Sequence, residues 1–127
     1  MSQTDQSDRP TVLVVEDEAI IRLAAVDMIE STGFPVIAAA DATAAMRLLE
    51  DHDGIKVVFT DVDMPRGING LELAARIKDR WPGIHVIITS GKVEAGQAAV
   101  PEGCVFFAKP YHEARVVDEV RRGLSGR

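Results

Sequence analysis

Cysteine is nearly absent. Cys104 is the only one, so no disulfide can form within the chain. It lies beside Val105 and Phe106, a setting that suits a buried small hydrophobe better than a reactive thiol. Long hydrophobic runs are missing too. No apolar stretch approaches the roughly 20 residues needed to span a bilayer, which excludes membrane insertion by a helix. The polar start, Met1 to Arg9, has no signal-peptide core. The expectation is a flexible tail over residues 1–9 and a cytoplasmic protein. Positive charge is in deficit: fourteen Lys and Arg against twenty Asp and Glu give a net charge of −6, which argues against general binding to nucleic acid or anionic membranes. The three histidines, His52, His85 and His112, have no metal-ligand spacing. Repeats, linkers and low-complexity tracts are also lacking. The 127 residues, 46% of them apolar, therefore make one domain with a real core, over residues 10–127.

What is present alternates. Thr11 to Val15 is a short β-branched run, the first strand. Ile21, Ala24, Ala25, Met28 and Ile29 recur at helical spacing, and Gly33 closes that helix in the C′ position. Phe34 to Ala39 reads as the second strand. Asp41 caps a helix whose apolar face is Ala45, Leu48 and Leu49, and Gly54 ends it. Ile55 to Thr60 is the third strand, apolar as a fully buried parallel strand requires. Pro65, Gly67, Asn69 and Gly70 then force a loop. Asn69 with Glu72 makes a capping box for a third helix carrying Leu73, Ile77 and Trp81, which Pro82-Gly83 stops. Ile84 to Thr89 is the fourth strand. Lys92 to Pro101 is a weak helical segment containing Gly96. Cys104 to Ala108 is the fifth strand, and Val116, Val117, Val120 and Leu124 mark a final helix. Arg115, Arg121 and Arg122 are read as complementing the dipole at that helix's end.

Short crossovers between such strands demand a parallel sheet with right-handed connections, and strands apolar throughout demand helices on both faces. The fold class is α/β, a doubly wound five-stranded parallel sheet of flavodoxin-like type with strand order 2-1-3-4-5.

In a parallel sheet the strand ends share one edge. The first strand ends at Glu16 and Asp17, the third at Asp61, the fourth at Thr89-Ser90 and the fifth at Lys109-Pro110. Three carboxylates, a hydroxyl and an ammonium therefore converge. That set fits phosphoryl transfer to a carboxylate. Hard carboxylate oxygens suit Mg²⁺, which neutralises phosphate charge. A carboxylate can attack as nucleophile and become an acyl phosphate. A lysine supplies a point charge, and a threonine hydroxyl can bond another phosphoryl oxygen.

At these residues the chain resembles the receiver domain of two-component response regulators. The matching stretches are Val14-Val15-Glu16-Asp17-Glu18, Thr60-Asp61-Val62-Asp63-Met64-Pro65, Val86-Ile87-Ile88-Thr89-Ser90-Gly91 and Ala108-Lys109-Pro110-Tyr111. The resemblance implies that Asp61 accepts phosphate from the phosphohistidine of a histidine kinase or histidine phosphotransfer protein. It implies that Glu16, Asp17, Asp61 and the backbone carbonyl of Asp63 arrange Mg²⁺, and that Thr89 and Lys109 contact the phosphoryl group. It also implies a cis Lys109–Pro110 bond and a switch aromatic at Phe106. The protein is then a phosphoacceptor rather than an enzyme, with a possible downstream protein target and an open oligomeric state. The chain stops at Arg127, just past the last helix, which favours a stand-alone receiver. Two departures stand out: the loop from Pro65 to Gly70 is one residue longer than the commonest form, and the segment after the fourth strand is poor in large apolar residues.

Two other classes compete. A haloacid-dehalogenase-like phosphohydrolase would use an Asp-x-Asp pair such as Asp61 and Asp63. That family carries the pair on its first strand and needs a later acidic motif, whereas here the pair follows the third. A flavodoxin-like cofactor module would cradle phosphate after the first strand, where Glu16-Asp17-Glu18 would repel it.

Overall fold

A computed structural model describes residues 9–65, 67–91 and 100–125. The expected tail, apart from Arg9, and most of the weak helical segment, residues 92–99, lie outside the described residues. Among the described residues the order is β1 (Thr11–Val15), α1 (Ala19–Glu30), β2 (Val36–Ala39), α2 (Ala42–Asp51), β3 (Ile55–Asp61), α3 (Gly70–Arg80), β4 (His85–Ser90), β5 (Val105–Ala108) and α4 (Glu113–Leu124). All neighbouring strands pair in parallel, in the order β2-β1-β3-β4-β5. The expected fold is the one observed.

The strands are apolar on both sides because both sides are covered. Leu13, Val58, Val86 and Ile88 face α2 and α3, where Ala45, Leu49, Leu73 and Ile77 complete one core. Val12, Val14, Val57, Phe59 and Ile87 face α1 and α4, meeting Ile29, Val116 and Val120 in the other. Full burial of such a side chain contributes about 1.5–3 kcal/mol, so the strand ends are carried on a stiff platform. The helix starts are fixed locally. Asp41 accepts from the Ala44 N–H at 2.8 Å, and Asn69 accepts from the Glu72 N–H at 2.9 Å, as N-caps do.

Several boundaries shift. β2 begins at Val36 rather than Phe34, because Gly33, at φ 86°, is still turning and Pro35 has no N–H to give a ladder. Ser31 is the C-cap of α1, so Gly33 lies one position beyond C′. β3 runs one residue further than expected, to Asp61. β4 runs from His85 to Ser90, and β5 starts at Val105 rather than Cys104. Ile21 and Ala24 are exposed, since α1 buries only Ala25, Met28 and Ile29. Trp81 is not helical. It is the C-cap of α3, half-buried, with the Arg80 guanidinium 4.4 Å from its ring centre. Arg115 stands in the first turn of α4, so only Arg121 and Arg122 complement that helix's end. His85 is engaged with Glu119, Nε2 to Oε2 at 2.8 Å.

Candidate functional site

The C-terminal edge of the sheet carries the polar residues. Asp61 is the last residue of β3 and lies in register with Thr89 on β4. Glu16 extends β1 by one residue, its N–H donating to the Ala39 carbonyl at 3.1 Å. Lys109 extends β5, its N–H donating to the Ser90 carbonyl at 2.9 Å, and Lys109–Pro110 is cis, as expected. Strand pairing thus sets four of the residues side by side before any side chain is considered.

The side chains converge as well. Carboxylate oxygens of Glu16, Asp17 and Asp61 lie within 4.8 Å of one another. Lys109 Nζ stands 3.2 Å from Asp61 Oδ1. The contact is one of charge rather than an aligned hydrogen bond, for Oδ1 is buried and accepts none. Glu16 and Asp61 are 5% and 8% exposed and Thr89 is 2% exposed, so the charges stand in a poorly hydrated place. Burial is the main cause that pushes the Glu16 carboxyl up to about 7. The Glu18 N–H, donating to Oε2 at 3.0 Å, opposes this, and the Asp61 charge adds to it. Burial also raises Asp61, against the pull of Lys109 and of the Asp63 N–H. Crowded, partly desolvated carboxylates of this kind favour a divalent cation. The buried oxygen of Asp61 without an aligned donor fits the same reading.

Three further residues shape the site, none of them given a role in it from the sequence. Arg22, on α1, donates from one nitrogen to the Glu16 carbonyl at 2.8 Å and to the Asp17 carbonyl at 3.4 Å, which ties down the loop bearing both acids. Tyr111 lines a narrow cleft with Glu16, Asp61, Thr89 and Lys109. Its ring stands edge-on to Phe59, centres 6.1 Å apart, and burial raises its phenol. A clue to Tyr111 exists in its place two residues after Lys109, where the Pro110 bend turns the chain back. The third is Gly70, which abuts the backbone of Asp61 and Val62.

Phe106 is not among the cleft residues. It pairs with Ile88, and its half-buried ring packs on the core of the α2 and α3 face. A cleft of about 370 Å³ lies near the opposite sheet edge, lined by Leu49, Ile55, Trp81 and Ile84 among others. None of the site's acids lines it.

Residues 12–121 match the response regulator receiver domain. The chain belongs to that family. The receiver is 29% identical over 119 residues to the chemotaxis protein CheY of Thermotoga maritima, covering 87% of this chain and 94% of that protein. It is 36% identical over 92 residues to the sensor kinase CckA of Brucella abortus, covering 72% of this chain but 10% of the kinase. It is 33% identical over 121 residues to the transcriptional activator protein ExaE of Pseudomonas putida, covering 91% of this chain and 55% of that protein. The chain thus spans from a tenth to about half the length of these last two relatives. Among solved structures, a receiver domain protein from Clostridium thermocellum superposes with a TM-score of 0.81 at 27% identity, over 91% of this chain and 94% of that one. The receiver domain of the hybrid histidine kinase CckA superposes with a TM-score of 0.74 at 28% identity, over 90% and 98%.

Membership makes the chain a signalling phosphoacceptor of two-component systems. Receivers bind Mg²⁺ at an acidic pocket and work with histidine kinases or phosphotransfer proteins, and an acidic cluster is present here. The phosphohydrolase alternative is not favoured. No described helix is long and apolar enough to cross a membrane.

Proposed function

We propose that Asp61 is the phosphoacceptor of this receiver, and that Glu16, Asp17, Asp61 and the carbonyl of Asp63 hold Mg²⁺ beside it. The observation that carries the reading is the Asp61 carboxylate itself: buried at a strand end, 3.2 Å from Lys109, with the Glu16 and Asp17 oxygens within 4.8 Å. When bound, the metal neutralises charge on the phosphoryl oxygens. An Asp61 oxygen attacks phosphorus, forming the O–P bond as the N–P bond of a phosphohistidine breaks. The bonding pair leaves with the imidazole nitrogen, and the product is an acyl phosphate. Lys109 gives the transferred group a cationic partner, so that charge it had balanced on Asp61 is balanced on phosphate instead. The Thr89 hydroxyl, next to Asp61 in register, bonds a phosphoryl oxygen, and its movement is passed to Phe106 on the neighbouring strand. The donor is a histidine kinase or a histidine phosphotransfer protein, and the readout is a conformational change seen by a protein target.

Asp61→Asn keeps the shape and removes the nucleophile. Incubation with acetyl phosphate and Mg²⁺ is expected to shift wild type by one phosphoryl mass and to leave the variant unshifted in intact mass spectra. A full shift in the variant would assign the acceptor elsewhere.

A further inference from the structure

We infer that Gly70 is a positioning residue for the acceptor: its bare Cα lets the start of α3 seat on the Asp61–Val62 peptide, and that seat sets where the Asp61 carboxylate stands. The inference rests on Asp61 being the acceptor. A Cβ on Gly70 would lie 2.0 Å from the Asp61 carbonyl oxygen, 2.8 Å from its carbonyl carbon and 2.9 Å from the Val62 Cα. All three are backbone atoms in a close-packed strand end, which cannot turn aside as a flexible side chain can. Backbone angle is not what demands glycine here. Positive φ occurs at Gly33, Gly67 and Gly103 among the described glycines, and not at Gly70. What Gly70 supplies is space.

Val62, the residue that follows Asp61, is held from two sides. The Val62 N–H donates to the Thr89 carbonyl at 2.9 Å, and the Val62 carbonyl accepts from the Gly70 N–H at 3.0 Å. One bond ties the acceptor strand to β4 and the other ties it to α3. A methyl group at position 70 has to push the Asp61 carbonyl aside, which carries the carboxylate away from Lys109 and from the oxygens of Glu16 and Asp17, or lift α3 off, which breaks the Gly70–Val62 hydrogen bond and leaves the residue after Asp61 without one of its two ties. A misplacement of about 1 Å can slow a reaction about a hundred-fold.

The fold contains its own control. A Cβ on Gly123 would lie 2.7 Å from Val57 Cγ2 and 2.8 Å from His85 Cβ and Cδ2. The crowding there is also severe, but it falls near the N-terminal ends of β3 and β4, far along the strands from Asp61.

The test compares full-length wild type, Gly70→Ala and Gly123→Ala in two measurements: the rate of phosphorylation by acetyl phosphate with Mg²⁺, per folded molecule by circular dichroism, and the Mg²⁺-induced shift of the urea midpoint. Gly70→Ala is expected to react about a hundred-fold slower and to lose the Mg²⁺ shift. Gly123→Ala is expected to unfold at lower urea yet keep its rate within about two-fold and its Mg²⁺ shift whole. Wild-type rate and shift in Gly70→Ala, or equal losses in both variants, would overturn the inference. Should Gly70→Ala stay unfolded, Asn69→Ala loosens the same helix start while keeping the glycine. Its expected rate is several-fold below wild type, and an unchanged rate overturns the inference. A wild type that takes no phosphate defeats the acceptor assignment instead, and the Mg²⁺ shifts still decide whether Gly70 places Asp61.

Discussion

Replacing Asp17 with asparagine is expected to stabilise the metal-free protein and to remove most of its response to Mg²⁺. Asp17 stands with Glu16 and Asp61 in a cluster whose oxygens lie within 4.8 Å. Two unit charges at that distance repel by about 1 kcal/mol in water and about 3.5 kcal/mol at an effective dielectric of about 20. Asp17 is half-buried and Lys109 offsets part of the repulsion, so the variant is expected to gain about 1 kcal/mol without metal. Mg²⁺ at a hundred times its dissociation constant stabilises a protein that binds it only when folded by about 2.7 kcal/mol. If the lost carboxylate weakens binding about thirty-fold, the gain falls to about 0.9 kcal/mol at the same concentration. The two effects have opposite sign, so a single urea curve would hide them. Four titrations separate them: each protein with and without Mg²⁺, at matched ionic strength and pH 8. The pH matters because the Glu16 carboxyl is raised from 4.5 to about 7 in the metal-free fold. Between those values the folded chain holds more protons than the unfolded one, so metal-free stability falls as pH rises from about 4.5 to about 7. The raised Asp61 acts in the same direction. Protons compete with the cation, so the wild-type Mg²⁺ gain should be larger at pH 8 than at pH 6. Equal Mg²⁺ gains in wild type and Asp17→Asn at pH 8 would refute the placement of Asp17 in the metal site.

Two more expectations follow from the geometry. Thr89→Ala should still take phosphate from acetyl phosphate, while the NMR shift changes on phosphorylation shrink around Phe106; undiminished changes there would remove Thr89 from the relay. Arg22→Gln frees the carbonyls of Glu16 and Asp17 that Arg22 now holds and should weaken Mg²⁺ binding several-fold by calorimetry, with Arg22→Lys recovering part of it; wild-type affinity in Arg22→Gln would show that the loop needs no tether.

Much of the fold is local in origin, and there the sequence is legible. Thr11–Val15 is β-branched and apolar, and it is a strand to the residue. Asp41 and Asn69 cap helices because a short polar side chain reaches its own helix's third N–H. The strand-end acids could be gathered from order alone, since a parallel sheet collects its C-terminal ends on one edge. Gly70, Arg22 and Tyr111 are a different matter. Gly70 reads as one more loop glycine, because what it avoids is a carbonyl nine residues earlier in the chain, met only after α3 docks. Arg22 reads as a solvated helix arginine until the β1–α1 loop bends its carbonyls toward it. Phe106 packs in a core, as an aromatic residue does in most folds, and the switching role that the resemblance implies for it has no local sign at all.

The single tryptophan, Trp81, sits at the end of α3 beneath the Arg80 guanidinium, in a cleft with Ile55 and Ile84. Those neighbours begin β3 and precede β4, so the indole watches the edge of the sheet opposite Asp61. Its emission therefore follows loss of the fold, when the stacked arginine and the apolar walls depart together. Glu16, Asp17 and Asp61 are not among the residues that line this cleft. Intrinsic fluorescence of this receiver is a clean gauge of unfolding in every titration described above, and occupancy of the acidic site has to be followed by another signal.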